Sequence, residues 1–133
     1  MATNNVVENL IRDGIVSSTN PANCTVRVTF PDKDDLVSGD LRVLTRGSKN
    51  NKDYWLPDVG ESVVCLFLPN GNNEGFCLGT YFNEVDKPPV NDLDKRHMKF
   101  IDGTTIEYDR KTHTLAINCK GSVIINGQTI NLN

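Results

Sequence analysis

The residues able to do chemistry are few and widely spread. Cys24, Cys65, Cys77 and Cys119 form no C-x-x-C pair and have no histidine at ligand spacing, whereas a thiolate metal site draws two ligands from one tight turn. They read as small buried hydrophobes, with no disulfide expected in a chain lacking secretory features. Asp32, Asp34 and Asp35 gather three carboxylates, but the spacing and downstream Glu of an EF-hand loop are missing, so this is a solvated loop rather than a calcium site. His113 stands alone in Thr-His-Thr and reads as an exposed side chain, not a ligand. Glu61 and Glu74 are the one pair of carboxylates that could be imagined as a glycosidase acid and base. They fall in a turn and a hairpin of a chain too short to carry a lysozyme-like domain. With no G-x-S-x-G, H-E-x-x-H or Walker glycine loop, no catalytic set is expected, and no metal or cofactor. The aromatics Trp55, Phe67, Phe76 and Tyr81 offer stacking surface for a sugar or a single-stranded base. They lie in or beside apolar runs and the Lys and Arg residues are scattered, so they read as core. An OB-fold binding module for oligosaccharide or single-stranded nucleic acid is the alternative reading.

Composition narrows the field further. The 133 residues carry a formal net charge of −3, which leaves little basic surface for neutralising phosphates, so nucleic acid is not an expected partner. Hydrophobic residues make up 38% and charged residues 23%, a globular balance. The start, MATNNVVENLIRDG, lacks a basic segment followed by an apolar run, and no stretch approaches the roughly 20 apolar residues that span a bilayer. Synthesis in the cytoplasm without a signal peptide is therefore expected.

The elements that would position these residues are mostly strands. Val6, Val7, Leu10 and Ile11 recur at helical spacing before Asp13-Gly14, predicting a short amphipathic helix within residues 1–13 that glycine ends. From Gly14 the period changes to short β-branched runs at Ile15–Ser17, Cys24–Phe30 and Leu41–Leu44, separated by polar loops at 31–39 and 45–53. Glu61–Leu68 is apolar on both faces, and after a hairpin signal at Asn70-Gly71 the chain returns through Gly75–Phe82. About five strands of this kind predict an OB-fold barrel over residues 14–84. Residues 85–96, with two prolines and many charges, read as a linker.

Residues 97–133 follow a simpler rule. Met98 and Phe100, Ile106 and Tyr108, Leu115 and Ile117, Val123 and Ile125, then Ile130 and Leu132 each alternate with polar residues, predicting five one-sided strands. A segment below about 40 residues with one bare apolar face per strand needs other copies of itself to cover it. The expected architecture is all-β: a barrel followed by a short triple-stranded β-helix formed in a homotrimer, with those ten side chains as the trimer core.

The stretch YWLPDVGESVVCLFLPNGNNEGFCLGTY resembles the phage baseplate assembly protein V family and the related OB domain of type VI secretion spike proteins. The pattern is carried by Trp55, Pro57, Val59, Gly60, Glu61, Val63, Gly71, Leu78, Gly79 and Tyr81, while Arg27–Pro31 is similar to the family's first barrel strand. The resemblance runs in order over residues 6–133. It implies a non-enzymatic, trimeric central spike of a contractile phage tail or tail-like particle, located at the baseplate centre of the virion. It also implies tail tube and baseplate hub proteins as partners, and transient contact with the target cell envelope, which the spike pierces. Many relatives end in a His-x-His pair that binds iron. This chain ends INGQTINLN, so its tip is either metal-free or covered by a separate tip-capping protein.

Overall fold

The structure, a computed structural model, describes residues 9–69 and 74–133, and its contacts divide the chain at Asp86/Lys87 into two compact units. In the first unit the strands are β1 (Ile11–Asn20), β2 (Thr25–Phe30), β3 (Leu36–Val37), β4 (Leu41–Val43), β5 (Ser62–Phe67) and β6 (Gly75–Thr80). A 3-10 turn, Pro31–Lys33, follows β2. β1 is antiparallel to both β2 and β5, β5 to β6 and β2 to β4, while β4 and β6 run parallel. Five strands thus close in the order β1-β2-β4-β6-β5-β1, with β3 as an appendage of β2. This order fits an OB-like barrel, and closure leaves none of the five with a bare edge.

Alternation sets the core. Val16, Val26, Val28, Phe30, Leu41, Val63, Cys65 and Cys77 are fully buried, and Val43 and Phe67 nearly so. β-branched and aromatic residues at period two place one side chain in every pair inside the barrel. Phe30 and Phe67 meet edge to face with centroids 5.7 Å apart. The Arg12 guanidinium lies 4.1 Å from the Phe30 ring centre and 5.2 Å from that of Phe67, capping the pair with a cation–π contact.

Several expectations need correction. The part of the predicted N-terminal helix on residues 1–8 lies outside the described residues. The remainder is not helical: Asn9 and Leu10 form a turn and Ile11–Asp13 begin β1. Pairing with β5 from Ile11↔Leu66 to Ile15↔Ser62 gives these residues a ladder that a three-turn helix could not match. Gly14 is therefore no helix stop. A Cβ there would stand 2.5 Å from Val28 Cγ1 and 2.6 Å from the Thr29 carbonyl, so glycine is required where β1 crosses closely over β2. Gly14→Ala is expected to cost about 1–3 kcal/mol in urea unfolding, because backbone must shift to admit the methyl. Arg27–Pro31 belongs to the second barrel strand and the turn after it, not the first strand. The outward residues of β5 are half-buried rather than fully covered, and the Asn70-Gly71 hairpin signal lies outside the described residues.

The second unit is one antiparallel sheet of β7 (Lys95–Lys99), β8 (Thr105–Asp109) and β9 (Thr114–Asn118), with β8 central. β7 begins at Lys95, one residue before the expected end of the linker at 96. Residues 119–133, where two further strands were expected, form no strand within the chain.

Candidate functional site: an uncovered apolar sheet face

The register of the second unit sorts its side chains into two faces. Met98↔Ile106↔Ile117 and Arg96↔Tyr108↔Leu115 form rows on one face, and His97↔Glu107↔Ala116 and Lys99↔Thr105↔Asn118 form rows on the other. The polar face is the better covered of the two: Lys95, His97, Thr105, Glu107, Asp109 and Ala116 are half-buried, while every member of the two apolar rows is exposed. Ile117 is 53% exposed and Leu115 64%. Phe100, Val123, Ile125, Ile130 and Leu132, the rest of the predicted trimer core, are exposed as well. A self-sufficient domain distributes its burial the other way round.

The covered side holds a cluster that the apolar pattern concealed. His97 Nδ1 lies 2.9 Å and Lys95 Nζ 3.5 Å from Glu107 Oε1, stapling β7 to β8. The signal was available in the residues alternating with Met98 and Ile106, in KRHMK facing TIEYD. The connecting turns are held by carboxylates. Asp102 Oδ1 accepts the Thr104 amide at 2.8 Å, and Asp109 Oδ1 accepts the Lys111 amide at 2.9 Å. These backbone donors hold both carboxyls below their ordinary 3.8. A carboxyl depressed in the folded state stabilises above the unfolded value and loses that contribution as pH falls through the lowered one. Both hairpin turns are thus expected to loosen below about pH 4, seen as faster amide exchange at Gly103, Thr104, Lys111 and Thr112. His113 closes the second turn in the left-handed region at φ 58, a backbone role and not a ligand's.

In the first unit the predicted motif residues make a frame rather than a binding surface. Gly60 takes φ +96 in the turn entering β5, a conformation that favours glycine. Its amide donates to the Val16 carbonyl at 2.9 Å, and the Val16 amide donates to the Glu61 carbonyl at 3.0 Å. Glu61 Oε2 accepts the Asp58 amide at 3.2 Å, and partial burial raises its pKa. Pro57 and Val63 are buried, while Val59 and Leu78 face outward. Gly79 lies in β6, opposite Val64, and Gly71 falls outside the described residues. Tyr81 donates its hydroxyl to Asp13 Oδ2 at 2.9 Å, which raises the tyrosine's pKa.

Two aromatics depart from the expected core. Trp55 and Tyr81 are each about two-fifths exposed, whereas Phe67 is buried and Phe76 half-buried. Trp55 borders a shallow hollow of about 380 Å³ with Leu44, Thr45, Arg46 and Asp53, in which Arg46 pairs with Asp53 at 2.7 Å. The four cysteines also divide: Cys65 and Cys77 are buried, Cys24 half-buried and Cys119 exposed.

Glu61 and Glu74 sit at opposite ends of the β5–β6 hairpin, since Ser62 and Val63 pair toward Thr80 while Phe67 pairs with Gly75. Six residues of strand separate them by roughly 20 Å, far beyond the ~5–9.5 Å that glycoside hydrolysis requires. Among the described residues no three His, Cys, Asp or Glu side chains are grouped to hold a metal ion.

The class defined here is an OB-like barrel joined to a one-sided antiparallel sheet. No family model matches the chain. It is similar to the Spike protein of Escherichia phage P2, with 30% identity over 115 residues, covering 84% of this chain. The chain spans about half (52%) of that protein's length.

Proposed function

We propose that the chain is a structural spike subunit at the baseplate of a contractile phage tail or tail-like particle, acting as a homotrimer without catalytic activity. The observation that carries this reading is the inverted burial of the second unit, whose apolar rows are bare while its polar face is covered. Three copies around an axis would bury Met98, Phe100, Ile106, Tyr108, Leu115 and Ile117 against one another. Residues 119–133 would gain strand partners from neighbouring chains, bringing Val123, Ile125, Ile130 and Leu132 into the same core as a triple-stranded β-helix. The similarity to a phage spike protein supports the assignment.

In this reading the division at Asp86/Lys87 separates a barrel that joins tail tube and hub proteins from a rigid point directed at the target envelope. The task is mechanical. A closed barrel and an intertwined prism both lack free strand edges and so resist shear and unfolding under load. Immunogold electron microscopy of intact particles with antibody to this chain tests the placement: label is expected at the distal end of the tail, and label along the sheath or head would contradict it. Should the chain instead be an OB-type binding module, Trp55 beside Arg46 is where a sugar or base would stack. Quenching of Trp55 fluorescence by oligosaccharide or single-stranded DNA would then be seen.

A further inference from the structure

We propose that Cys65 and Cys77 form a modification site, an oxidisable dithiol that closes to a disulfide across β5 and β6 when a peroxide reaches it. The two residues are direct cross-strand partners in the antiparallel ladder, and both are free and fully buried. Opposed residues in such a ladder have Cα atoms about 4.5–5.5 Å apart, inside the ~4.4–6.8 Å range of disulfides. Directly opposed residues in such a ladder have Cβ atoms about 4.5–5.5 Å apart against about 3.8 Å in a disulfide, so closure requires a pinch of roughly 1–2 Å. The ladder has the means to give way there, because its register shifts between Val64 and Cys65, next to the pair.

The thiols already interact. A hydrogen bond between them raises the Cys65 pKa and lowers that of Cys77. Either thiol can attack first; with Cys77 as the nucleophile, Cys65 is the resolving thiol. When the hairpin opens locally, the Cys77 thiolate attacks one peroxide oxygen and the O–O bond breaks, giving a sulfenic acid and hydroxide, which takes up a proton as water. Cys65, on losing its proton, attacks the sulfenic sulfur; the S–S bond forms and a second water leaves. Two thiols and one hydrogen peroxide become one disulfide and two waters. Of the other two cysteines, the Cys24 thiol lies against the Trp55 carbonyl at 3.4 Å and Cys119 lies beside Ser122. The disulfide would fasten the central hairpin of the barrel once the chain leaves a reducing compartment. This inference does not depend on the oligomeric state.

The test is to treat the native full-length chain with hydrogen peroxide, unfold it in N-ethylmaleimide, and map the peptides. The expected result is a linked peptide pair containing Cys65 and Cys77, lighter by two hydrogens, with a higher urea midpoint that dithiothreitol reverses. In Cys65→Ser the reaction is expected to stop at a Cys77 sulfenic acid that dimedone traps. Recovery of both residues as maleimide adducts, or linkage of either to Cys24 or Cys119, overturns the proposal. If Cys65→Ser does not fold, the mapping of the native chain decides alone.

Discussion

Ile117→Asp is expected to leave the purified chain monomeric at micromolar concentration while its barrel stays folded. Ile117 lies in the row Met98↔Ile106↔Ile117 on the bare face, so in an isolated chain the carboxylate points into water and costs little. In the proposed trimer three carboxylates would meet near one axis, in the row whose other members are Met98 and Ile106. Each buried unpaired charge costs several kcal/mol, and mutual repulsion adds to it. Three such penalties exceed what a small interface can offset. The control must carry the same charge on the other face. Lys120 is an obvious choice from the sequence, yet it lies close enough to Asp102 to help hold that carboxyl ionised, so placing an acid there would disturb the turn. Asn118, exposed and on the polar face in the row Lys99↔Thr105↔Asn118, is cleaner. Asn118→Asp is expected to keep the native mass, and equal loss at both positions would refute the assignment of faces. Sedimentation velocity with far-UV circular dichroism separates dissociation from unfolding.

Phe30→Ala is expected to lower the stability of the barrel by about 3–5 kcal/mol in urea. The side chain is 1% exposed, ends β2 and packs edge to face on Phe67. Removing it leaves a cavity and also strips the Arg12 guanidinium of its nearer ring. Arg12 Nε and Nη2 are buried without a hydrogen-bond partner, so the ring contact is what compensates them. Domains of this size have only about 5–15 kcal/mol in hand, which makes this one truncation a large share of the total. Phe76→Ala, at a half-buried position of β6, is the milder comparison, and a loss as great as that of Phe30→Ala would show that the core is not centred where β1, β2 and β5 meet.

The barrel was legible because its strands alternate cleanly. TVRVTF and SVVCLF announce an inner face, and period two is hard to satisfy by any other element. The start was misread for a physical reason. Leu10 and Ile11 fit a helical spacing locally, but a few residues of helix cannot outweigh a ladder of partners in β5 supplied from fifty residues away. In the sequence Gly14 reads as punctuation because the close approach of Val28 and Thr29 exists only after folding. Apolar neighbours in sequence predict Trp55 and Tyr81 as core, but strand parity and loop position turn them toward the surface. The alternation from Met98 to Leu132 predicts which side chains share a face, and β7 to β9 place five of them, with Arg96, in register as two rows. What the alternation could not provide was the staple between His97 and Glu107, since its members are the residues that an apolar pattern discards.

The central claim is that the bare face of the second unit is covered by two further copies of the same chain. Its most direct measurement is the native mass of the intact chain by multi-angle light scattering, carried down to nanomolar loading. The account predicts a mass three times 14.8 kDa that does not fall on dilution. A folded species of 14.8 kDa at every concentration would contradict it.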